Sequence, residues 1–318
     1  MNDKACNILM LGGAKRVSIG RMFLRAAASA GFSVRLFSYE LSEVVPVAEI
    51  AEVIVGKRWN SPDILTDLQR VVEQHNINIV VPFVDGAIAP ASRLRVFCPH
   101  VFVPACPPEM ANVLYDKIQS DELFRHLCVP VPEAADIGFP LIAKPRLGSA
   151  SKGIIVIRNR AELERLSDSE NYLLQEYIED RTEYTVDCYV SQSMETLAIV
   201  PRIRLEVLGG EAVKTVTVDD PTVIEVSRVV IERLQLRGAV TLQFLHDRKD
   251  GRLMLMEINP RLGGGCVCAV HAGADIPLLI VKEWAGLPLE PPAWQSGVLI
   301  TRYFQEVVLK TDGHGRIL

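Results

Sequence analysis

The chain has 318 residues, 49% hydrophobic and 23% charged, with a net charge of −5. That length exceeds what one hydrophobic core usually serves, so two or three lobes are expected. The acidic balance argues against a basic nucleic-acid-binding face, and no apolar stretch approaches the roughly 20 residues of a membrane span.

The N-terminus "MNDKACNILML" reads as a first strand and lacks the basic region and long apolar run of a signal peptide. "NILMLGG" is a short buried strand ending in a glycine turn, and "RMFLRAAASAG" is a helix stopped by Gly31. "SVRLFSYE" is a second strand, "SPDILTDLQRVVEQHN" a helix, and "INIVVPFVDG" a third buried strand. This β-α-β repetition predicts a mostly parallel sheet. "CPHVFVPACPPEM" is too rich in proline to continue a helix or a central strand, and it marks a boundary. Beyond it, "EMANVLYDKIQSDELFRHL" reads as one helix. "PLIAKPRLGSASKGIIVI" reads as strand, glycine-rich loop and strand, and "NRAELERL" as a short helix. "NYLLQEYIEDRTEYTVDCYVS" carries two strands around a charged turn. From about Thr196 the pattern is a largely antiparallel sheet with one helix, "PTVIEVSRVVIERLQL". The end is helical around "ADIPLLIVKEWAGL", followed by a last strand, "GVLITRYF". The class is therefore α/β, with an α+β C-terminal part. The seven cysteines are scattered, and the Cys266/Cys268 pair has no zinc-spaced partners, so all read as reduced thiols of a cytoplasmic protein.

Four stretches bear polar groups that a core does not need. "LGGAKRVSIG" joins a strand to a helix, but Gly12 and Gly13 are adjacent and the next glycine is Gly20, so the dinucleotide spacing G-x-G-x-x-G is absent. Glu40 comes late for a ribose-binding acid, and the stretch reads as a tight turn. In "AKPRLGSASKG", Lys144 ends a strand and Gly148, Ser149, Ser151 and Gly153 follow. Such a loop exposes N–H and hydroxyl donors to an anion beside a fixed charge, although alone it also fits an exposed hairpin with a lysine nearby. Glu257 and Asn259 in "EINPRLGGG" point to one face of a strand. A hairpin turning at Lys249-Asp250-Gly251 sets Gln243 opposite Glu257. Three oxygen-bearing side chains then converge among Leu242, Phe244, Leu255 and Ile258, which suits Mg²⁺, and Arg261 follows within reach of a phosphoryl group. In "LLQEYIEDRTEYTVD", Glu176 and Glu183 flank a turn and by themselves are charges on a solvated face.

In this order, Lys117 in "YDKIQS", Lys144 with Gly148–Gly153, "QEYIEDRTEYTVD", Gln243 and "EINPR" resemble the ATP-grasp superfamily along the whole chain. The pattern looks most like one half of a carbamoyl-phosphate synthetase large chain, or a stand-alone carboxylate–amine ligase. The resemblance implies an ATP-grasp fold. It comprises a Rossmann-like pre-ATP-grasp lobe over 1–107 and a grasp domain over 108–318, with a lid subdomain at about 122–178 and an antiparallel-sheet C-terminal lobe. It implies that Lys117 and Lys144 hold the α- and β-phosphates of ATP under the Gly148–Gly153 lid. Glu176 with Tyr177 and Ile178 would face adenine, and Glu183 the ribose. Gln243, Glu257 and Asn259 would hold two Mg²⁺ ions, with Mn²⁺ as an alternative. Arg261 would stabilise the transferring phosphoryl group, assisted by Arg204, with Lys214 a further candidate. The glycines after Arg261 would leave room for an acceptor. Asp85, His271 and Arg302 are candidates for the substrate pocket.

The implied chemistry is ADP-forming ligation. A carboxylate or bicarbonate is activated as an acyl phosphate and then attacked by an amine or other nucleophile. The partners implied are small molecules, with no nucleic acid or membrane, and a homodimer is compatible with the pattern. With one grasp copy and no Cys/His amidotransferase pattern, carbamoyl phosphate synthesis by this chain alone is doubtful. Two readings of other classes stand beside it: a nucleotide-binding protein without turnover, and an NAD-dependent oxidoreductase using the N-terminal glycines.

Overall fold

The computed structural model describes residues 5–134, 138–148 and 152–312. Within these the strands form three sheets. The first holds β1 (Ala5–Leu11), β2 (Ser33–Glu40), β3 (Glu52–Val55) and β4 (Ile79–Pro82), in the order β3-β2-β1-β4. Every pairing in it is parallel, so its connections must be crossovers. These include α1 (Val17–Ser29) and α2 (Ile64–Gln74), and α3 (Asp85–Phe97) follows β4. β1 and β4 are apolar almost throughout because both faces are covered. Ile8, Met10, Ile79 and Val81 pack with Met22 and Phe23 of α1. Leu9, Leu11 and Val80 pack with Leu68 and Val72 of α2 on the other side.

Two elements here have no counterpart in the sequence reading. α3 carries Pro90 in its interior, a residue that reads as a break. β3 is four residues long and only partly buried. A third difference follows from Asp116. "EMANVLYDKIQSDELFRHL" is two helices, α4 (Pro108–Tyr115) and α5 (Lys117–His126). Asp116 leaves the helical conformation at φ −91°, ψ 109°, and its carboxylate accepts the N–H groups of Ile118 and Gln119. A short acceptor side chain that caps a new helix interrupts the old one.

The second sheet is small and antiparallel, β6-β5-β7, with β5 at Leu141–Pro145, β6 at Ile155–Ile157 and β7 at Tyr172–Glu176. α6 (Arg160–Glu164) lies between β6 and β7 in the chain, and Leu141, Ala143 and Ile157 make the sheet's core. The third sheet has the order β12-β11-β8-β9-β10-β13. Its strands are β8 (Arg181–Val190), β9 (Thr196–Leu208), β10 (Glu211–Thr217), β11 (Gly238–Asp247), β12 (Leu253–Asn259) and β13 (Leu299–Thr301). All its pairings are antiparallel. α7 (Pro221–Leu234) covers one face with Val223, Val230, Ile231 and Leu234. α8 (Val267–His271) and α9 (Ile276–Trp284) follow, and Ile276, Leu279 and Ile280 of α9 join the core of the first sheet. The last strand is shorter than "GVLITRYF" predicts.

Among the described residues no helix is long and apolar enough to cross a membrane. All seven cysteines are free, and only Cys128 is exposed.

The first and third sheets meet at Gly238, the first residue of β11. Ala239 N–H donates to Pro104 O at 3.0 Å. Gly238 has φ +79°, and a Cβ there would lie 2.2 Å from the Pro104 carbonyl carbon. Both the conformation and the contact demand glycine. Gly238→Ala should cost about 3 kcal/mol of stability, read as a lower urea midpoint; an unchanged midpoint would contradict this close approach.

Candidate functional site

The site grows from strand alternation. On β8, β11 and β12 one face carries Val186, Cys188, Val190, Leu242, Phe244 and Ile258 into the core under α7. The opposite face must then carry Glu183, Thr185, Asp187, Thr241, Gln243, Glu257 and Asn259. The register sets these in rows. Glu257 pairs with Gln243, Gln243 with Thr185, and Thr185 with Arg202. Asn259 pairs with Thr241, and Thr241 with Asp187. The hairpin turns as the sequence predicts, with Gly251 at φ +78°. A cleft of about 720 Å³ opens over this polar face, walled by residues of the second and third sheets and by N-terminal-lobe residues that follow its strands, among them Arg16, Trp59 and Asp85.

Gln243 and Glu257 are cross-strand partners, Asn259 lies two residues beyond Glu257 on the same strand, and all three line that cleft. Glu257 is the one carboxylate of the three. Among the described residues there is no cluster of three or more His, Cys, Asp or Glu that would hold a metal, so a cation here would rest on one carboxylate and two amides. Hard oxygen donors of this kind fit Mg²⁺, with phosphate oxygens completing the shell. Arg261 adjoins them. Its Nη2 donates to Asn259 Oδ1 at 3.2 Å, and its Nε to Asp85 Oδ1 at 2.6 Å.

Lys144 reaches the same cleft from β5 and is 5% exposed. Its Nζ donates to Gln175 Oε1 at 2.8 Å, and Gln175 Nε2 donates to Asp121 Oδ1 at 2.7 Å. Burial lowers the Lys144 ammonium to about 8, against the opposing pull of Glu257 and Asp121. Lys117 Nζ donates to Gly148 O at 2.7 Å, tying α5 to the start of the glycine-rich loop. Gly148 and Gly153 have φ +130° and +74°, values that favour glycine. Ser149 and Ser151 lie outside the described residues.

Glu176, expected at a base edge, has both carboxylate oxygens on the fork of Arg252, at 2.8 and 2.9 Å. Its Oε1 also accepts Glu133 N–H. Burial would raise this carboxyl, but Arg252 and the Glu133 N–H hold it below the usual carboxylate range. Tyr177 N–H donates to Pro140 O, and Ile178 O accepts Arg181 Nη1. Glu183 accepts Arg181 Nε at 3.0 Å and pairs with Arg204 at 3.4 Å, so Glu183 and Arg204 are neighbours in the cleft.

Several candidates stand elsewhere or are already engaged. Lys214 points outward and pairs with Glu206 on the surface, because alternation on β10 puts it on the far side from Thr215. His271 is exposed at the end of α8 and does not line the cleft. Arg302 pairs with Glu211 at 2.8 Å and donates to Gly264 O. The glycines after Arg261 line the cleft and also make room for the protein's own groups. A Cβ on Gly263 would lie 3.0 Å from Thr241 Oγ1, on Gly264 2.7 Å from Arg16 Nη1, and on Gly265 2.6 Å from the Arg202 guanidinium. Arg202 forms a buried pair with Asp187 at 2.7 Å, and Arg16 pairs with Glu211 at 2.8 Å.

The N-terminal glycine turn is closed as well. Glu40 is the last residue of β2, closer to the turn than its sequence position implied. Its carboxylate accepts Ser38 Oγ at 2.6 Å and hydrogen bonds from the Gly13 and Ala14 backbone. A dinucleotide phosphate would need those same donors.

The sequence reading missed Arg202, Thr185, Thr241, Arg181, Arg16 and Trp59, all in the cleft wall. Thr185 and Arg202 were within reach, being two residues from Glu183 and Arg204 on strands of period two. Arg16 and Trp59 come from the N-terminal lobe, and no local pattern marks them.

The chain was compared with known proteins. The family described as "ATP-grasp in the biosynthetic pathway with Ter operon" matches residues 168–306. The C-terminal section of the carbamoyl phosphate synthase large chain of Methanopyrus kandleri is 22% identical over 77% of this chain and 53% of its own length. The N-terminal section from the same organism is 20% identical over 70% of this chain and 41% of its own length. The chain thus spans about half the length of these curated relatives or less. Among solved structures, N5-carboxyaminoimidazole synthetase from Staphylococcus aureus, complexed with ADP, superposes with a TM-score of 0.71 at 17% identity, covering 92% of this chain and 82% of that one. Biotin carboxylase from Campylobacter jejuni gives 0.71 at 17% identity, covering 89% and 71%. These likenesses give the fold: the three-sheet arrangement is that of the ATP-grasp proteins.

The Glu176–Arg252 fork ties β7 of the small sheet to the turn before β12. Arg252→Ala should speed amide exchange in β5 and β7 by on the order of tenfold. Exchange at the wild-type rate in both strands would mean that the fork does not anchor the small sheet.

Proposed function

We propose that this chain, an ATP-grasp superfamily member resembling one half of a carbamoyl phosphate synthase large chain, is an ADP-forming ligase that activates a carboxylate or bicarbonate with Mg·ATP. The observation that carries the proposal is the convergence of Gln243, Glu257, Asn259 and Arg261 with the buried Lys144 in one cleft. Apart from a ligand, such a set would be a costly arrangement of polar groups over an apolar sheet. In this reading, residues 1–107 form the pre-ATP-grasp lobe and 108–318 the grasp domain, with the lid at about 122–178.

The roles follow from chemistry. Lys144 and Lys117 hold the polyphosphate by charge. Glu183, with Arg204 behind it, offers a carboxylate to the ribose hydroxyls. Gln243, Glu257 and Asn259 would hold magnesium, which when bound supplies neutralisation of the phosphate charge. Asn259 Oδ1, now taken by Arg261, would turn to the metal and free Nη2 for the transferring group. A substrate carboxylate oxygen attacks the γ-phosphorus, the bond to the ADP oxygen breaks, and an acyl phosphate forms. A nucleophile then attacks the acyl carbon and phosphate leaves. Arg261 stabilises the equatorial oxygens in the first step, and exclusion of water from the cleft protects the acyl phosphate from hydrolysis. Arg252 occupies both side-chain oxygens of Glu176, so recognition of the base falls to the main chain around Tyr177 and Ile178.

ADP release from Mg·ATP should depend on one member of a panel of carboxylic acids and bicarbonate, with hydroxylamine present to trap the acyl phosphate. Glu257→Gln should lower that rate by on the order of a thousandfold. Release with no acid on the panel would favour a nucleotide-binding protein without turnover, and full activity of the variant would remove the metal assignment.

Lys144 adds a pH dependence. In the free protein its ammonium loses its proton near pH 8, whereas a bound polyphosphate favours the charged form. Nucleotide binding above that pH therefore requires proton uptake. Affinity should be level below about pH 8 and fall by about tenfold per unit above it, until the pKa of the complex is reached. Titrations between about pH 7 and pH 9.5 that show flat affinity would exclude the phosphate role of Lys144.

A further inference from the structure

Asp85 is the first residue of α3, in the lobe that carries the parallel sheet, 176 positions from Arg261 in the chain. Its Oδ1 accepts Arg261 Nε–H at 2.6 Å, and the two side chains are 15% and 14% exposed. Among the described residues Asp85 has no other ion pair. The remaining nitrogens of Arg261 make longer contacts, Nη2 to Asn259 Oδ1 at 3.2 Å and Nη1 to Leu262 O at 3.3 Å. The guanidinium is thus held firmly at one edge and loosely at the other. A fork-on-fork pair would have consumed more of its donors, whereas this single short bond at Nε leaves the Nη groups for an anion.

The surroundings give the bond a purpose. Asp85, Glu257 and Asn259 line one small recess beneath the cleft. Glu257 is the other carboxylate of that recess, and it is the proposed metal ligand. An arginine this buried is costly unpaired, and Asp85 is the carboxylate that pairs with it.

We infer that Asp85 is a positioning residue. It holds Arg261 by Nε and aims the Nη groups at the transferring phosphoryl group. The inference rests on the ligase reading above. It makes the N-terminal lobe part of the phosphoryl-transfer machinery, because the orientation of Arg261 depends on how α3 is seated against the third sheet.

The test is a double-mutant cycle on the full chain, using ADP release with the acid that the wild type turns over, in hydroxylamine, together with titration of Mg·ATP. Asp85→Asn should lower kcat by about 10- to 100-fold with KM for ATP unchanged, measured below the variant's own thermal midpoint, which the loss of a buried ion pair lowers. Asp85→Glu, which keeps the charge, should stay within about threefold of wild type. The double variant of Asp85→Asn with Arg261→Ala should be no slower than Arg261→Ala alone, because Asp85 acts through Arg261. Wild-type kcat in Asp85→Asn, or a double variant slowed by the product of the two single effects, would overturn the inference and leave the ligase reading intact. No ADP release by the wild type with any acid would bring down the ligase reading, and this inference with it.

Discussion

A strand can bury only one of its faces without cost, and the site depends on that constraint. β8, β11 and β12 give Val186, Leu242, Phe244 and Ile258 to the core under α7. Their other positions are then fixed by the period of two, and the register leaves no freedom over which side chains meet. With β11 held by β8, a slip of β12 by one residue would send Glu257 and Asn259 into the core and Ile258 into the cleft. The apolar core therefore specifies the polar site. The irregularity between Gln243 and Phe244 falls where the polar row ends, so the correction in register is made next to the groups that need alignment.

The cleft's second feature is its supply of guanidinium groups close to the backbone. Arg202 is 2% exposed, and its charge is tolerable because Asp187 lies beneath it at 2.7 Å. Arg16 and Arg302 share Glu211, which they hold below the usual carboxylate range against the upward pull of burial. Gly264 and Gly265 allow the chain to run directly over these planar groups. Those glycines thus have a steric explanation in the free protein, and they line the cleft together with Trp59, Val84 and Gly86.

Much of this was legible in the sequence, for an identifiable reason. Alternation and hairpin chemistry are local, so "EINPR", Gln243 and the Gly251 turn could be placed against one another without coordinates. The repetition of strands and helices likewise announced the parallel sheet. What escaped was non-local or locally contradictory. Pro90 hid α3, Asp116 divided a helix that its apolar spacing had joined, and β3 was too short and exposed to show alternation. Long-range ion pairs escaped for a different reason. Nothing near Glu176 says that Arg252 will occupy it, and nothing near Lys214 says that it faces away. Glu40 is the reverse case: a carboxylate that stands where a ribose ligand would, yet closes its own lobe's turn through Ser38, Gly13 and Ala14.

The lobes share a hydrophobic core, in which Tyr189, Leu197, Ala198 and Ala239 pack with the first sheet, and they are joined by polar contacts as well. Gly238 meets Pro104 through the backbone alone, which fixes distance but not charge. Arg16 to Glu211 and Asp85 to Arg261 are ion pairs, and each leads into the cleft. A rotation of the N-terminal lobe would have to move side chains of that shared, close-packed core together with both pairs. The seating of the parallel sheet is thereby read out at Arg261 and at the rim by Gly264. This places a charged contact between the lobes on the side chain whose orientation the proposed chemistry would use.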